Sequence, residues 1–319
     1  MLIRYLYFLL VPLGNIGDFM ILYYLLILAL CFIKALDGQI HNTPPKALQA
    51  QSLFPLRSLI LPGQAIQKKA IIIGASSGMG NALAKHLLAE GYLVGITARR
   101  TDRLETVKQT YPANTLIRYM DVAKPEEAVT VLNQLVADMQ GIDLCVIASS
   151  GYYDQEPAAR SWDFNQPLLA VDVLGVSALV RTAINIFESQ GSGHLVCFSS
   201  VDGYHGLAAC PLYSAVKMFL SRFLDGERNR CIQLNLPITI TELIPGWVNA
   251  NPEHGGDNPA PGAYWVESLD DATETIYKAI TEKAPKAYVT ARQEKLVDLL
   301  KTIPNDLYNA LCARPGGAF

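Results

Sequence analysis

Tyr213 and Lys217 stand four residues apart in Tyr213-Ser-Ala-Val-Lys217. On a helix that spacing puts both side chains on one face, one turn apart. Ser200 precedes the tyrosine by thirteen residues, at the end of the apolar run His194–Phe198 (His-Leu-Val-Cys-Phe). A hydroxyl at a strand end, facing a tyrosine and a lysine on the next helix, suits proton transfer to a carbonyl oxygen. Chemistry of that kind asks the rest of the chain for a cofactor.

The elements that must position these groups alternate. Apolar runs predict strands at Lys69–Ile73, Tyr92–Ala98, Thr115–Met120, Ile142–Ala148, His194–Phe198, Ile238–Ile244 and Lys286–Thr290. Between them, amphipathic periods predict helices at Asn81–Glu90, Asp102–Thr110, Pro125–Met139, Pro167–Phe187, Pro211–Arg228 and Leu269–Glu282. Apolar strands interleaved with helices imply an α/β fold, a doubly wound parallel sheet covered on both faces.

Gly74-Ala-Ser-Ser-Gly78-Met-Gly80 lies between the first strand and the first helix. Glycines there allow a tight turn and close approach of backbone to a pyrophosphate, held at the helix N-terminus. The second strand ends Thr97-Ala98-Arg99-Arg100. An acidic residue at that point would hold ribose hydroxyls; two arginines instead neutralise a 2′-phosphate, which points to NADP(H). Asp121-Val122 follows the third strand, where the carboxylate has two uses, an adenine amino group or the cap of the next helix.

Half of the 319 residues are apolar, 17% are charged and the formal net charge is −3, so a large core is expected and nucleic acid is not an expected partner. The six cysteines lack metal-ligand spacing, which argues for reduced core residues and no metal site. Residues 1–36 differ in kind. Phe19–Ile33 carries no charge and the apolar character continues to Leu36. Eighteen helical residues rise roughly 27 Å, close to a bilayer core of about 30 Å. A signal anchor is expected there, with a re-entrant hairpin as the other membrane reading. Lys34, Lys46, Arg57, Lys68 and Lys69 favour a domain that faces the cytoplasm, against Arg4. Residues 37–66 read as a proline-bearing linker, 67–292 as the single catalytic domain and 293–319 as an amphipathic tail interrupted at Pro304. That tail has three candidate partners: the domain itself, a second subunit in a homodimer, or the membrane.

Gly74-xxx-Gly78-x-Gly80, Ser200, Tyr213-xxx-Lys217 and Pro245-Gly246 together resemble the classical short-chain dehydrogenase/reductases, from about Lys68 to Thr290. The resemblance implies a Rossmann-type fold and hydride transfer between a nicotinamide and a carbonyl or alcohol. It implies Tyr213 as general acid or base, Ser200 as the group orienting the carbonyl oxygen, and Lys217 as the holder of the nicotinamide ribose. Lys217 would also lower the tyrosine pKa: a cation about 4 Å away contributes on the order of 4 kcal/mol at an effective dielectric near 20. Gly74, Ser76, Ser77, Gly78, Met79 and Gly80 would line the cofactor, with Arg99 and Arg100 at the 2′-phosphate. Asp121, Val122, Ser149, Gly151, Pro245, Gly246 and Val248 complete the expected cofactor set. The family's tetrad asparagine aligns with Asp172, placing a possible negative charge behind the tyrosine. Its Asn-Asn-Ala-Gly after the fourth strand reads Ala148-Ser149-Ser150-Gly151 here. The hydroxyl residue that often follows Pro-Gly is replaced in Pro245-Gly-Trp-Val-Asn.

Asn251–Ser268 is rich in Gly and Pro and follows the position of the family's substrate loop. Trp247, Tyr264 and Trp265, with Tyr152 and Tyr153, are candidate walls of an apolar substrate pocket. His205 and His254 are left outside the catalytic set. The leading expectation is a membrane-anchored NADP(H)-dependent oxidoreductase with a lipophilic substrate. The other is a cofactor-binding regulator or scaffold, motivated by Asp172 and the altered fourth-strand motif.

Overall fold

The computed structural model describes residues 67–150, 162–207, 210–249 and 266–312. The expected membrane segment and linker lie outside these residues, as do Gly151, Tyr152, Tyr153, His254, Tyr264 and Trp265.

Seven strands form one parallel sheet: β1 Lys69–Ile73, β2 Leu93–Ala98, β3 Thr115–Tyr119, β4 Leu144–Ile147, β5 Gly193–Phe198, β6 Ile238–Ile244 and β7 Lys286–Tyr288. Their order is β3-β2-β1-β4-β5-β6-β7. The helices are α1 Gly78–Ala89, α2 Thr101–Thr110, α3 Pro125–Asp138, α4 Trp162–Leu169, α5 Val176–Gln190, α6 Pro211–Gln233, α7 Leu269–Thr281, α8 Ala291–Thr302 and α9 Asn305–Cys312. A π-helical turn, Ala170–Gly175, joins α4 to α5.

Alternation along the strands builds two cores. Ala70, Ile72, Val94, Ile96, Val146 and Val196 point to one face, against Leu83, Leu87 and Leu104 of α1 and α2 and Ile276 and Ile280 of α7. Ile71, Ile73, Cys145, Ile147, Leu195 and Cys197 point to the other, against Leu132 and Leu135 of α3, Val180 and Phe187 of α5, and Leu220 and Leu224 of α6. Period-two side chains buried on both faces are what a doubly wound sheet requires. Cys145, Cys197, Cys210 and Cys231 are free and buried, and burial pushes the Cys145 thiol up to about 12. Among the described residues no cluster of metal-ligating side chains occurs.

The stretch Asn165–Gln190 is long and apolar enough to cross a bilayer. Its apolar residues Leu179, Val180, Ala183, Ile184 and Phe187 are instead fully buried in the domain core. The helix expected from Pro167 begins at Trp162 and takes Pro167 inside α4. The C-terminal stretch forms α8 and α9 on either side of Pro304, and Val297 of α8 is buried.

Candidate active site

The strand order reverses between β1 and β4, and a cleft of about 500 Å³ opens at the strand ends there. Such a reversal leaves a crevice outside the carboxyl ends of the strands. Gly74, Ser76, Ser77, Arg99, Arg100, Asp121, Val122, Ser149 and Ser150 line it. The glycine turn is fixed from β2: the N–H groups of Gly74 and Ala75 donate to the Thr97 carbonyl at 2.9 and 3.0 Å. Asn81 Nδ2 donates to the Ala75 carbonyl at 2.9 Å. Gly74 and Gly78 adopt positive φ (96° and 58°), which side chains disfavour. A Cβ on Gly74 would sit 2.6 Å from Ser149 N, and one on Gly80 would meet the Gly74 carbonyl oxygen. The glycines therefore let the turn pack tightly on itself and on Ser149, with Gly74, Ser76 and Ser77 facing the cleft. The Met79 side chain is partly buried against the core.

Arg100 gives the turn its charge. Its Nη2 donates to Ser76 Oγ at 3.1 Å and to Ser77 Oγ at 3.0 Å. Arg99 lines the cleft without such a link on these serines. Asp121 Oδ1 accepts from Ala123 N at 3.1 Å, closing a turn ahead of α3, whose N-terminus has Lys124 as its cap residue and no side-chain cap bond.

Ser200 lies two residues beyond β5 and caps a 3-10 turn, Val201–Tyr204, its Oγ accepting from the Asp202 N–H at 3.1 Å. Tyr213 and Lys217 occupy consecutive turns of α6, with Nζ 5.4 Å from the phenol ring centre. Lys217 and Asp172 are both about 2% exposed and form an ion pair at 3.0 Å. Lys217 also donates to the Phe198 carbonyl at 3.4 Å. Ser150 Oγ donates to the same Asp172 oxygen at 2.9 Å, so hydrogen bonds run from the cleft wall through Asp172 to Lys217. Pro245 lies beside Ser200, its carbonyl accepting from the Val201 N–H at 3.0 Å. Val248 bridges to Glu267.

One expectation is corrected. The Tyr213 pKa lies well above the ordinary tyrosine value. Burial is the largest cause, followed by the carboxylates of Asp202 and Asp172, and a hydrogen bond with Ser200 offsets part of it. The Lys217 ammonium is paired with Asp172, and the Asp172 carboxylate in the asparagine's place adds to the rise. Asp202 was not singled out in the sequence, although the Ser-x-Asp pattern of a capped turn was its available signal. Its own pKa is raised by burial, with Ser200 and Lys217 opposing.

The family model described as short chain dehydrogenase matches residues 68–255. A Mycobacterium tuberculosis protein named an uncharacterized oxidoreductase is 32% identical over 231 residues, covering 70% of this chain and 88% of its own. A Burkholderia phymatum short-chain dehydrogenase/reductase in complex with NAD superposes with a TM-score of 0.65 at 18% identity, over 73% of this chain and 92% of its own. An alcohol dehydrogenase from Thermococcus sibiricus complexed with 5-hydroxy-NADP does so with a TM-score of 0.61 at 20% identity, over 75% and 99%. At these identities the two structures speak to the fold.

Proposed function

This chain belongs to the classical short-chain dehydrogenase/reductase family, and from that premise we propose that it is an NADP(H)-dependent oxidoreductase of a lipophilic carbonyl or alcohol. The observation that carries the reading is the convergence of Ser200, Tyr213 and Lys217 with the glycine turn, linked through Ser150 and Asp172.

The turn suits a pyrophosphate, because Gly74 lines the cleft ahead of the N-terminus of α1 and its close packing on Ser149 holds the tight turn there. Arg100, Ser76 and Ser77 fit a 2′-phosphate: they offer one cation and two hydroxyls together, and Ala98 provides no carboxylate to repel it. A bound nicotinamide supplies the hydride. The chain's own residues do the rest. Ser200 holds the carbonyl oxygen. Tyr213, kept protonated by its surroundings, donates the proton to that oxygen. Lys217 is held in place by Asp172 and the Phe198 carbonyl, ready to bind ribose hydroxyls. A phenol with a raised pKa favours the acid role, so carbonyl reduction is the direction the site suits. The uncharged run at Phe19–Ile33 supports a membrane anchor, and Lys34, Lys46, Arg57, Lys68 and Lys69 after it support the cytoplasmic side for the domain. Trp247, exposed beside the Pro245 turn, supports an apolar substrate.

The test is NADPH oxidation by the detergent-solubilised full chain, with ketones graded by chain length. Saturable turnover is expected, preferring NADPH over NADH. Tyr213→Phe should lose at least about 100-fold in rate while still binding NADPH. Arg100→Ala should raise the KM for NADPH and leave that for NADH unchanged. An NADH preference in the wild type, or undiminished turnover by Tyr213→Phe, would refute the reading.

A further inference from the structure

Beyond the matched family region, β7 and α8 reach back to the site. Thr290 and Gln293 are polar, yet only 1% and 3% exposed. Buried polar groups are costly unless bonded, and these two are bonded to the backbone that follows β6. Gly246 N–H donates to Thr290 Oγ1 at 3.2 Å, and Trp247 N–H donates to Gln293 Oε1 at 3.1 Å. The Thr290 hydroxyl donates to the same Gln293 oxygen at 3.0 Å.

We propose that Thr290 and Gln293 are positioning residues, which fix the Pro245–Trp247 turn, and through it the Ser200 loop, for catalysis. The proposal rests on the hydride-transfer reading above.

Two observations beyond the bonds themselves support it. Gly246 does not have a positive φ, so no backbone requirement explains the missing side chain. A Cβ there would overlap Gln293 Oε1 and lie 2.7 Å from Thr290 Oγ1. The glycine and the glutamine are thus matched to each other. The clamped turn also reaches the catalytic loop, because the Pro245 carbonyl accepts from Val201 N–H, next to Ser200. Helix α8 grips that loop independently: Lys301 Nζ lies 4.3 Å from the Tyr204 ring centre and donates to the Tyr288 hydroxyl at 3.0 Å. Trp247-Val-Asn carries no hydroxyl side chain at its first two positions, and the turn is held from outside by Thr290, just before α8, and Gln293 within it.

Hydrogen exchange and kinetics on the full chain test this together. Thr290→Val and Gln293→Met keep volume and remove the acceptors; Thr290→Ser keeps the hydroxyl. In the double Val/Met variant, exchange at the Gly246 and Trp247 amides should rise at least about tenfold while the β1–β5 amides stay protected. Its kcat/KM with NADPH should fall at least about tenfold, as for a misplaced reacting group, and Thr290→Ser should match the wild type in both. If the double variant fails to fold, Thr290→Val alone carries the same expectations, smaller in size. Unchanged exchange, or raised exchange with unchanged kinetics, overturns the positioning role and leaves the enzyme reading intact. A wild-type chain that neither binds NADPH nor oxidises it overturns both.

Discussion

Asp172 and Lys217 share one buried contact, and the charge on Asp172 adds to burial and Asp202 in holding the Tyr213 proton. The Oδ1 atom that pairs with Lys217 also accepts from Ser150. An asparagine keeps an oxygen in that place and loses the charge. Asp172→Asn should therefore preserve or raise turnover. It also removes a neighbour that holds the Tyr213 proton, so the tyrosine pKa falls and the alkaline limb of carbonyl reduction moves to lower pH. The same change leaves the buried ammonium without its counter-charge. Removing one partner of a buried pair costs about 3–5 kcal/mol; with the oxygen retained, a loss on the order of 1–3 kcal/mol is expected by denaturant melting. A loss of more than tenfold in kcat with NADPH binding intact would instead give the carboxylate its own task. The two arginines show a limit of residue-level reading. Their types and place at the end of β2 pointed to a phosphate, but the bond to Ser76 and Ser77 belongs to Arg100. Adjacent residues leave a strand end in different directions, and the sequence carries no sign of which one turns toward the glycine turn.

The π-helical turn Ala170–Gly175 carries Asp172 into the interior, with Gly175 buried in the same turn. A Cβ on Gly175 would strike the Val122 carbonyl and the Val122 side chain, and Val122 is part of the cleft wall. Gly175→Ala should push the turn off that wall. Overpacking of this kind costs about 1–3 kcal/mol, so a lower melting temperature and weaker NADPH binding are expected together. A variant that melts and binds like the wild type would show that the wall yields freely. The elements differ in how far the sequence discloses them. The sequence places Ile238–Ile244 to the residue, because a β-branched run bounded by Pro237 and Pro245 has sharp ends. Helix α6 was predicted to stop at Arg228 and runs to Gln233. Its extra turn is tied to α5 by Arg230 with Glu188 at 2.6 Å, beyond the Arg181–Glu227 pair at 2.7 Å. Pairs that far apart in sequence leave no local periodicity. The π-turn left none either, since one widened turn does not disturb an apolar pattern otherwise helical.

The domain formed by the described residues is built on one sheet buried on both faces, and a titratable group in such a sheet links its stability to pH. His194 lies in β5, the strand that leads into Ser199 and Ser200, and is 7% exposed. Its Nε2 lies 2.8 Å from Thr241 Oγ1 on β6. The Thr241 hydroxyl donates to the Ala284 carbonyl at 2.6 Å, so it accepts from the ring and Nε2 carries the proton. Burial, with the Lys283 ammonium adding to it, lowers the His194 pKa to about 4 from its ordinary 6.5. Above pH 6.5 the ring is neutral whether the chain is folded or not, and the full stability is present. Below that value the unfolded chain takes up a proton that the folded chain refuses, so stability falls as pH drops toward 4. Each pKa unit is worth about 1.4 kcal/mol, so the loss approaches about 3 kcal/mol across that window. Below pH 4 both states are protonated and this contribution is flat. His194→Gln keeps a donor for Thr241 and removes the titration. In urea melts between pH 7 and pH 4 the wild type should lose stability more steeply than the variant, with the gap closing from pH 6.5 downward. Parallel profiles for the two proteins would mean that His194 opens to solvent before the sheet comes apart.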